Sequence, residues 1–440
     1  MSESRKGHGA HPSTAVLTRG FDPHLSVGSA RPAVFRSSTY VFSSPEAAER
    51  SFSLVSGRVA PEPGETPELI YARFNHPNAE ILEDQIVPLE EGSQWAVVFN
   101  SGMAAIMTSI LACVSQGDAI VHTVPLYGGT QSLMHQFFEP FGIRCIPVVS
   151  GHGPELDNAI LNTPRVKVVL IESPANPTMV MTDIRRAALT AARLDERPVV
   201  MVDNTFLGPA FQHPITLGAD MVLYSATKYL GGFSDLLAGV AIGVDPKIES
   251  AIRGRRGLFG NILQPDECWI LDGRLPTVSL RMNRQSKNAQ RLAEALDGHP
   301  QLERVIYPTL FRDPEQRRIY EKQCAYPGGI FSIEFKGGKA AAFEFLKKSL
   351  GCEDEGLYRV ALLVPEPERT ELTEQFRRLK LCAMRAKFEG AAAGEHAAGH
   401  RNFLRGVLEE LFPEKKARIY GRSGFAVQPG MNALVLDTAL

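Results

Sequence analysis

Cysteine, net charge and long apolar runs are all scarce in this sequence. Its 440 residues include six cysteines, without a CxxC pair or zinc-ligand spacing, so we expect reduced thiols and no metal site. No apolar run approaches the roughly 18 residues of a membrane-spanning helix, and the first residues have no signal-peptide core. The net charge of -2 argues against nucleic-acid and membrane-surface partners. The expected location is therefore cytoplasmic.

Short β-branched apolar runs recur between residues 95 and 243. They are WAVVF (95–99), AIVHTV (119–124), RCIPVV (144–149), VKVVLIES (166–173), PVVMVDN (198–204), MVLYSAT (221–227) and AGVAIG (238–243). Near-continuous runs are typical of strands buried on both faces of a parallel sheet. Helical patterns separate several of them, including 102–114 and 183–194, the latter with Thr182 as the expected N-cap. We predict an α/β fold with a mainly parallel, seven-stranded sheet.

The chain is predicted to have three parts. Residues 1–75, rich in Ser, Pro and Gly, are expected to form an arm with little regular structure and an extended loop before Tyr71. Residues 76–275 would form the large domain, and 276–440 a smaller α+β domain. The elements expected there are a helix at 281–296 and strands at 304–308, 330–335 and 433–437. For residues 386–404 two predictions stay open, a loop and a weak helix.

Polar residues follow three of the predicted strands, where ligands of open α/β sheets bind. These groups are Asn100, Ser101 and Gly102; Asp203 and Asn204; and Ser225, Thr227 and Lys228. Free amides at a helix start near Gly102 suit a phosphate, although a Ser-Gly helix start is also common without a ligand. Lys228 either pairs with an anion or serves as an amine of lowered pKa. With neither GxxxxGK[ST] nor a strand-anchored GxGxxG present, a small phosphorylated aldehyde fits better than a nucleotide.

Five motifs in order carry a resemblance to a known family. They are Ser101–Ile106 (SGMAAI), Leu126–Thr130 (LYGGT), Glu172–Thr178 (ESPANPT), Asp203–Thr205 (DNT) and Ser225–Gly232 (SATKYLGG). Together they resemble the Cys/Met-metabolism family of pyridoxal-phosphate (PLP) enzymes over about residues 15–350. Its members include methionine γ-lyase, cystathionine γ-lyase, cystathionine γ-synthase and O-acetylhomoserine sulfhydrylase. The resemblance implies PLP as cofactor and the fold-type I, aspartate aminotransferase-like architecture.

The resemblance also implies roles for individual residues. Lys228 would bind the cofactor aldehyde covalently and shuttle protons. Asp203 would pair with the pyridinium nitrogen, and Tyr127 would stack on the ring and assist proton transfer at the leaving group. The residues implied to surround the cofactor are Ser101, Gly102, Met103, Tyr71, Arg73, Asn176, Asp203, Ser225, Thr227 and Lys228. Two interpretations of Glu172 stay open: it lies near the cofactor, or it is a solvated charge at a strand end.

A homo-oligomer is implied as well. In the family a Tyr-x-Arg pair from the neighbouring subunit completes the phosphate site, and Tyr71 and Arg73 match that pair. An arginine suits a fixed phosphate because its planar fork donates two hydrogen bonds at once. A dimer or a dimer of dimers is therefore expected, with a small amino acid as the other partner.

The implied function is γ-elimination on a γ-substituted amino acid of the methionine, cystathionine or homoserine type, giving a 2-oxo acid and ammonia. The alternative is γ-replacement of the sulfhydrylase or cystathionine γ-synthase type. Outside catalysis, a PLP-fold scaffold without turnover is the remaining interpretation.

The sequence departs from the family pattern in three places. Phe74-Asn75-His76 follows Arg73 where the family usually has Asn-Pro-Thr, and Gly129 stands where methionine γ-lyases commonly have cysteine. The chain diverges after about residue 350, where an arginine normally binds the substrate carboxylate. The candidates for that arginine are Arg405, Arg418 and Arg422.

Overall fold

The computed structural model describes residues 12–338, apart from 18, 56, 61, 63, 64, 66, 67 and 152, together with 341–342, 419–420 and 426–427. The chain divides into two compact units, residues 1–345 and 346–440. In the second unit, the described strands Ile419–Tyr420 and Ala426–Val427 pair in antiparallel fashion. The expectations for 386–404 and 433–437, and the candidates Arg405, Arg418 and Arg422, lie outside the described residues. The boundaries at 75 and 275 stay predictions.

A seven-stranded sheet forms the centre of the first unit. Its strands are β1 (Trp95–Phe99), β2 (Ala119–Val124), β3 (Arg144–Val149), β4 (Val166–Glu172), β5 (Val199–Asp203), β6 (Met221–Ser225) and β7 (Gly239–Gly243). The spatial order is β1-β7-β6-β5-β4-β2-β3. Five strands, β6, β5, β4, β2 and β3, run parallel to one another, whereas β7 is antiparallel to both β6 and β1. The predicted mainly parallel sheet is confirmed.

Helices cover both faces of the sheet. The α-helices of the described residues are α1 (Pro12–Ala15), α2 (Pro45–Val55), α3 (Pro77–Ile86), α4 (Gly102–Cys113), α5 (Gly128–Leu133), α6 (Gly153–Asn162), α7 (Ile184–Ala191), α8 (Pro246–Phe259), α9 (Pro265–Asp272), α10 (Val278–Leu296) and α11 (Pro314–Gln323). Alternate residues of β1 enter different cores: Ala96 and Val98 pack in one cluster, Val97 and Phe99 in another. Because successive strand residues face opposite sides, the sheet is apolar on both. In the described part of the chain, no helix is long and apolar enough to cross a membrane.

Two local expectations need correction. The N-cap of α7 is Asp183, whose side chain accepts a hydrogen bond from the Arg186 amide at 3.0 Å, and not Thr182. The arm contains the eleven-residue helix α2, although little regular structure was expected there. The Ser44 hydroxyl accepts a hydrogen bond from the Ala47 amide at 3.1 Å, and Pro45 is the first residue of the helix. The serine and the proline are therefore helix-start signals here.

A small antiparallel sheet follows α10. It consists of β8 (Leu302–Ile306) and β9 (Ser332–Phe335). Arg304 and Glu334 face each other across it, with 2.7 Å between Nη2 and Oε1. The strands predicted at 304–308 and 330–335 are therefore present with shifted ends, and the helix predicted from 281 begins at Val278. Pro308 starts a short 3-10 helix, so β8 ends before it.

Candidate active site

A cleft of about 1340 Å³ opens where β2, β4, β5 and β6 end. The residues around it that the sequence singled out are Ser101, Gly102, Met103, Tyr127, Glu172, Asn176, Asp203, Ser225, Thr227 and Lys228. The chain crosses between strands repeatedly, so residues as far apart in the sequence as Ser101 and Lys228 meet here because their strands end at one edge. The structure therefore brings together all the predicted site residues except Tyr71 and Arg73.

The start of α4 forms one end of the cleft. Ser101 is the N-cap, and its hydroxyl accepts a hydrogen bond from the Ala104 amide at 3.1 Å. The amides of Gly102 and Met103 lie in the first turn, where helical amides lack intrahelical partners and the helix dipole favours an anion. A Cβ atom on Gly102 would lie 2.9 Å from the Ser225 Cβ, so this close approach requires glycine. The geometry suits a phosphate.

Two hydroxyl residues lie beside this helix start. Thr227 Oγ1 donates to the Ala238 carbonyl at 3.2 Å and accepts from the Ala238 amide at 3.1 Å. The Ser225 amide donates to Thr205 Oγ1 at 2.9 Å. Thr227 therefore ties the end of β6 to the start of β7, while Ser225 is fixed through its backbone.

Asp203, the last residue of β5, lies further along the cleft. Its Oδ1 accepts from the Thr205 amide at 3.0 Å and from the Thr205 hydroxyl at 2.6 Å. Burial raises the pKa of Asp203, so a cationic partner is needed to favour its charged form. Sequence reasoning assigned no role to Thr205, which links Asp203 to Ser225. The signal was the Asp-x-Thr spacing, since such short polar residues bond to backbone two positions away.

Glu172 ends β4 and is the register partner of Asp203. It is only 6% exposed, so the interpretation as a solvated strand-end charge is wrong. Its Oε2 accepts from the Tyr127 amide at 2.7 Å, and its Oε1 accepts from the Asn176 amide at 2.9 Å. Burial, and then the nearby Asp203 carboxylate, raise the pKa of Glu172 to about 7.

Lys228 and Tyr127 are exposed within the cleft. The Lys228 backbone lies in a tight turn: its amide donates to the Ser225 carbonyl at 3.1 Å, and its carbonyl accepts from Gly232 at 2.7 Å. Tyr127 is 51% exposed and precedes α5. A Cβ atom on Gly129 would lie 2.7 Å from Tyr127 Cε1, so glycine at 129 makes room for this ring position.

Tyr71 and Arg73 lie in an adjoining hollow instead of on the cleft wall. The two spaces share Ile262, Gln264 and Asp266 as lining residues. Arg73 Nη1 donates to the Gly257 carbonyl, and its guanidinium lies 5.6 Å from the Tyr71 ring centre. The contribution of these two residues to a neighbouring subunit stays a prediction.

The departure after Arg73 has a structural explanation. His76 is the buried N-cap of α3, and its Nδ1 accepts from the Ala79 amide at 3.2 Å. Its Nε2 lies 2.8 Å from the Leu263 carbonyl oxygen. Arg256 donates to the Phe74 carbonyl at 3.0 Å, which fixes the same segment from α8. His76 therefore begins α3 at the position where the family pattern differs.

Comparison with known proteins agrees with this geometry. A sequence model described as Cys/Met metabolism PLP-dependent enzyme matches residues 13–352. L-methionine gamma-lyase of Porphyromonas gingivalis is 36% identical over 306 residues, covering 69% of this chain and 73% of that protein. Cystathionine gamma-synthase of Mycobacterium tuberculosis is 32% identical over 351 residues, covering 79% and 84%. The crystal structure of metB from Corynebacterium glutamicum is 30% identical, covers 77% and 82%, and has a TM-score of 0.68.

These similarities extend over most of the described chain and confirm the predicted fold type and cofactor. The helix start at Gly102, the acid at Asp203 and the amine at Lys228 supply an anion site, a partner for a ring nitrogen and a group for an aldehyde. The residues present therefore fit PLP. The chain belongs to the Cys/Met metabolism family of PLP-dependent enzymes.

Proposed function

We propose that the protein catalyses γ-elimination on a γ-substituted amino acid of the methionine, cystathionine or homoserine type. The products are a 2-oxo acid, ammonia and the released γ-substituent. The observation that carries the proposal is the meeting of Lys228, Asp203 and Tyr127 in one cleft. The name of the methionine γ-lyase relative supports the elimination branch.

The cofactor-binding residues are proposed from their positions. The amides of Gly102 and Met103, with Ser225 and Thr227, would hold the phosphate at the start of α4. Asp203 would pair with the pyridinium nitrogen and Asn176 would lie beside the ring hydroxyl, since both residues line the cleft. When bound, PLP supplies an electron sink for the electrons released at the substrate Cα.

The proton transfers are assigned to the exposed groups of the cleft. Lys228 would hold the cofactor aldehyde, and its Nζ, when free, would take the proton from the substrate Cα and relay a further proton from Cβ. Tyr127 donates a proton to the leaving γ-substituent. Burial disfavours the charged form of Asp203, so a protonated ring nitrogen, together with the Thr205 hydroxyl and amide, would keep this carboxylate ionised. A substrate-carboxylate arginine among Arg405, Arg418 and Arg422 remains part of the proposal.

The second candidate is γ-replacement, in which a thiol nucleophile forms a new bond to Cγ and the amino group is kept, whereas in elimination water releases the chain as a 2-oxo acid and ammonia. The similarity to cystathionine γ-synthase favours it. A panel of γ-substituted amino acids, assayed for 2-oxo acid and ammonia with and without a thiol acceptor, separates the two branches. Elimination predicts 2-oxo acid without acceptor, whereas replacement predicts a new amino acid only when the acceptor is present. If no substrate gives either a 2-oxo acid or a new amino acid, both the elimination and the replacement proposals are contradicted.

Cofactor attachment is tested separately from turnover. The purified protein should be yellow, and borohydride reduction followed by peptide mass mapping should place the pyridoxyl group on Lys228. A protein that takes up no PLP, or that is labelled at another lysine, would overturn the assignment.

The proposed assembly is a cytoplasmic homodimer or dimer of dimers, with Tyr71 and Arg73 serving the neighbouring site. Arg73→Ala and Lys228→Ala subunits, each inactive alone, are mixed after dissociation. If Arg73 acts across the interface, hybrid dimers contain one intact site, and a 1:1 mixture recovers about a quarter of wild-type activity. No recovery in verified hybrid dimers would show that Arg73 does not act across the interface.

A further inference from the structure

Glu172 connects two loops that carry proposed site residues. Tyr127 lies after β2 and Asn176 after β4, and one carboxylate oxygen of Glu172 accepts the backbone amide of each. The Glu172 amide in turn donates to Thr123 Oγ1 at 3.1 Å, across the β2–β4 pair. A single side chain therefore fixes both loops to the same strand end.

The position of the Tyr127 ring depends on the Glu172 contact with its backbone amide more than the position of a buried ring would. It is 51% exposed, so solvent surrounds half of it and neighbouring side chains constrain it weakly. Its direction is set largely where its backbone is held, at the start of α5. Glu172 accepts at that amide, at 2.7 Å.

We propose that Glu172 is a positioning residue that fixes Tyr127 and Asn176 through their amides, and that its protonation loosens this hold. Both oxygens must accept, and a protonated carboxyl presents an O–H to one of the two amides. The deprotonated form therefore keeps both contacts and the protonated form keeps one. The consequence for turnover rests on the proposed function, whereas the contact itself does not.

The surroundings of Glu172 make this change accessible near neutral pH. The charged group that raises its pKa is Asp203 on β5, after the larger effect of burial, and the result is about 7. Lys228, after β6, and the Tyr127 phenol, after β2, line the same cleft. The two-amide contact is thus complete above pH 7 and weakens as the pH falls through that value.

The test is hydrogen exchange of the full-length apoprotein, resolved at the Tyr127 and Asn176 amides and corrected for intrinsic rates. Wild type should be more protected at pH 8 than at pH 6. Glu172→Gln keeps the shape but presents an N–H₂ to one amide, so protection there should fall about tenfold or more and lose its pH dependence. Glu303→Gln, an exposed glutamate on β8, is the matched control and should match wild type.

The outcomes separate the positioning role from the proposed function. Unchanged protection in Glu172→Gln, or no pH dependence in wild type, would overturn the contact model whatever the activity. If protection falls while kcat and its pH profile stay as in wild type, the positioning role is wrong. If wild type turns over no substrate, the proposed function fails and the exchange result still decides the contact. The pH dependence of wild type needs no variant, so misfolding of Glu172→Gln does not prevent the test.

Discussion

The two kinds of functional group in the cleft are held in opposite ways. Asp203 and Glu172 end neighbouring strands, and each carboxylate accepts two hydrogen bonds from the protein. Lys228 lies in a turn after β6 and Tyr127 in the segment after β2, and both residues are exposed. Within the described residues, neither the Lys228 amine nor the Tyr127 hydroxyl has a hydrogen-bond partner. The two carboxylates are thus anchored to the sheet, whereas the groups proposed to transfer protons are not held through their side chains.

The largest effect should come from removing the exposed amine. Lys228→Ala should lower turnover by about 10³-fold or more, because it removes both the covalent attachment point and the proton carrier. The melting temperature should change little, since an exposed side chain contributes little to packing. Product release and thermal unfolding measure the two quantities. Lys228→Arg, which keeps the charge but not the amine chemistry, should be equally inactive, and full activity in either variant would contradict the assignment.

The anchored acid should respond differently. Asp203→Asn keeps the shape but loses the charge, so PLP affinity should fall by about 10- to 100-fold. The variant should also lower the pKa of Glu172, because the Asp203 carboxylate contributes to raising it. Cofactor titration of the apoprotein and carbon-13 NMR of the Glu172 carboxyl measure these effects. An unchanged Glu172 titration would show that the two acids act independently.

The reacting groups of the cleft were predictable from sequence, whereas the contacts that anchor the carboxylates were not. The apolar runs predicted all seven strands, and the motifs predicted Lys228, Asp203 and Tyr127. The contact between Glu172 and Thr123 joins residues 49 positions apart, and it depends on β2 lying beside β4, which the order of strands in the chain does not reveal. Thr205 has a local signal, but its second contact, to Ser225, needs the β5–β6 pairing. Long-range pairing decides these details.

A third test uses the pH dependence of stability. Glu172 ordinarily titrates near 4.5 and does so at about 7 in the fold, so the folded apoprotein binds more protons between these values. Its contribution is therefore fully present below pH 4.5 and is lost as the pH rises through 7, by roughly 3 kcal/mol. Urea unfolding of apo wild type and Glu172→Gln at pH 5 and 8 isolates this term. An equal change with pH in both proteins would contradict it.

The smallest effect tests how freely the exposed ring can move. Gly129→Ala places a Cβ atom 2.7 Å from Tyr127 Cε1 and 3.0 Å from Met103 Sδ, so the ring must shift. A half-exposed ring has room to do so, and we expect kcat to fall only about two- to tenfold, with KM and melting temperature nearly unchanged. Gly128→Ala is the matched control, because a Cβ atom there meets nothing within 4 Å. Equal losses in both variants would indicate a helix effect in α5 instead of displacement of Tyr127. A loss in Gly129→Ala alone would show that the exposed Tyr127 ring acts from one preferred position. That position is set by the backbone, which Glu172 holds at the Tyr127 amide.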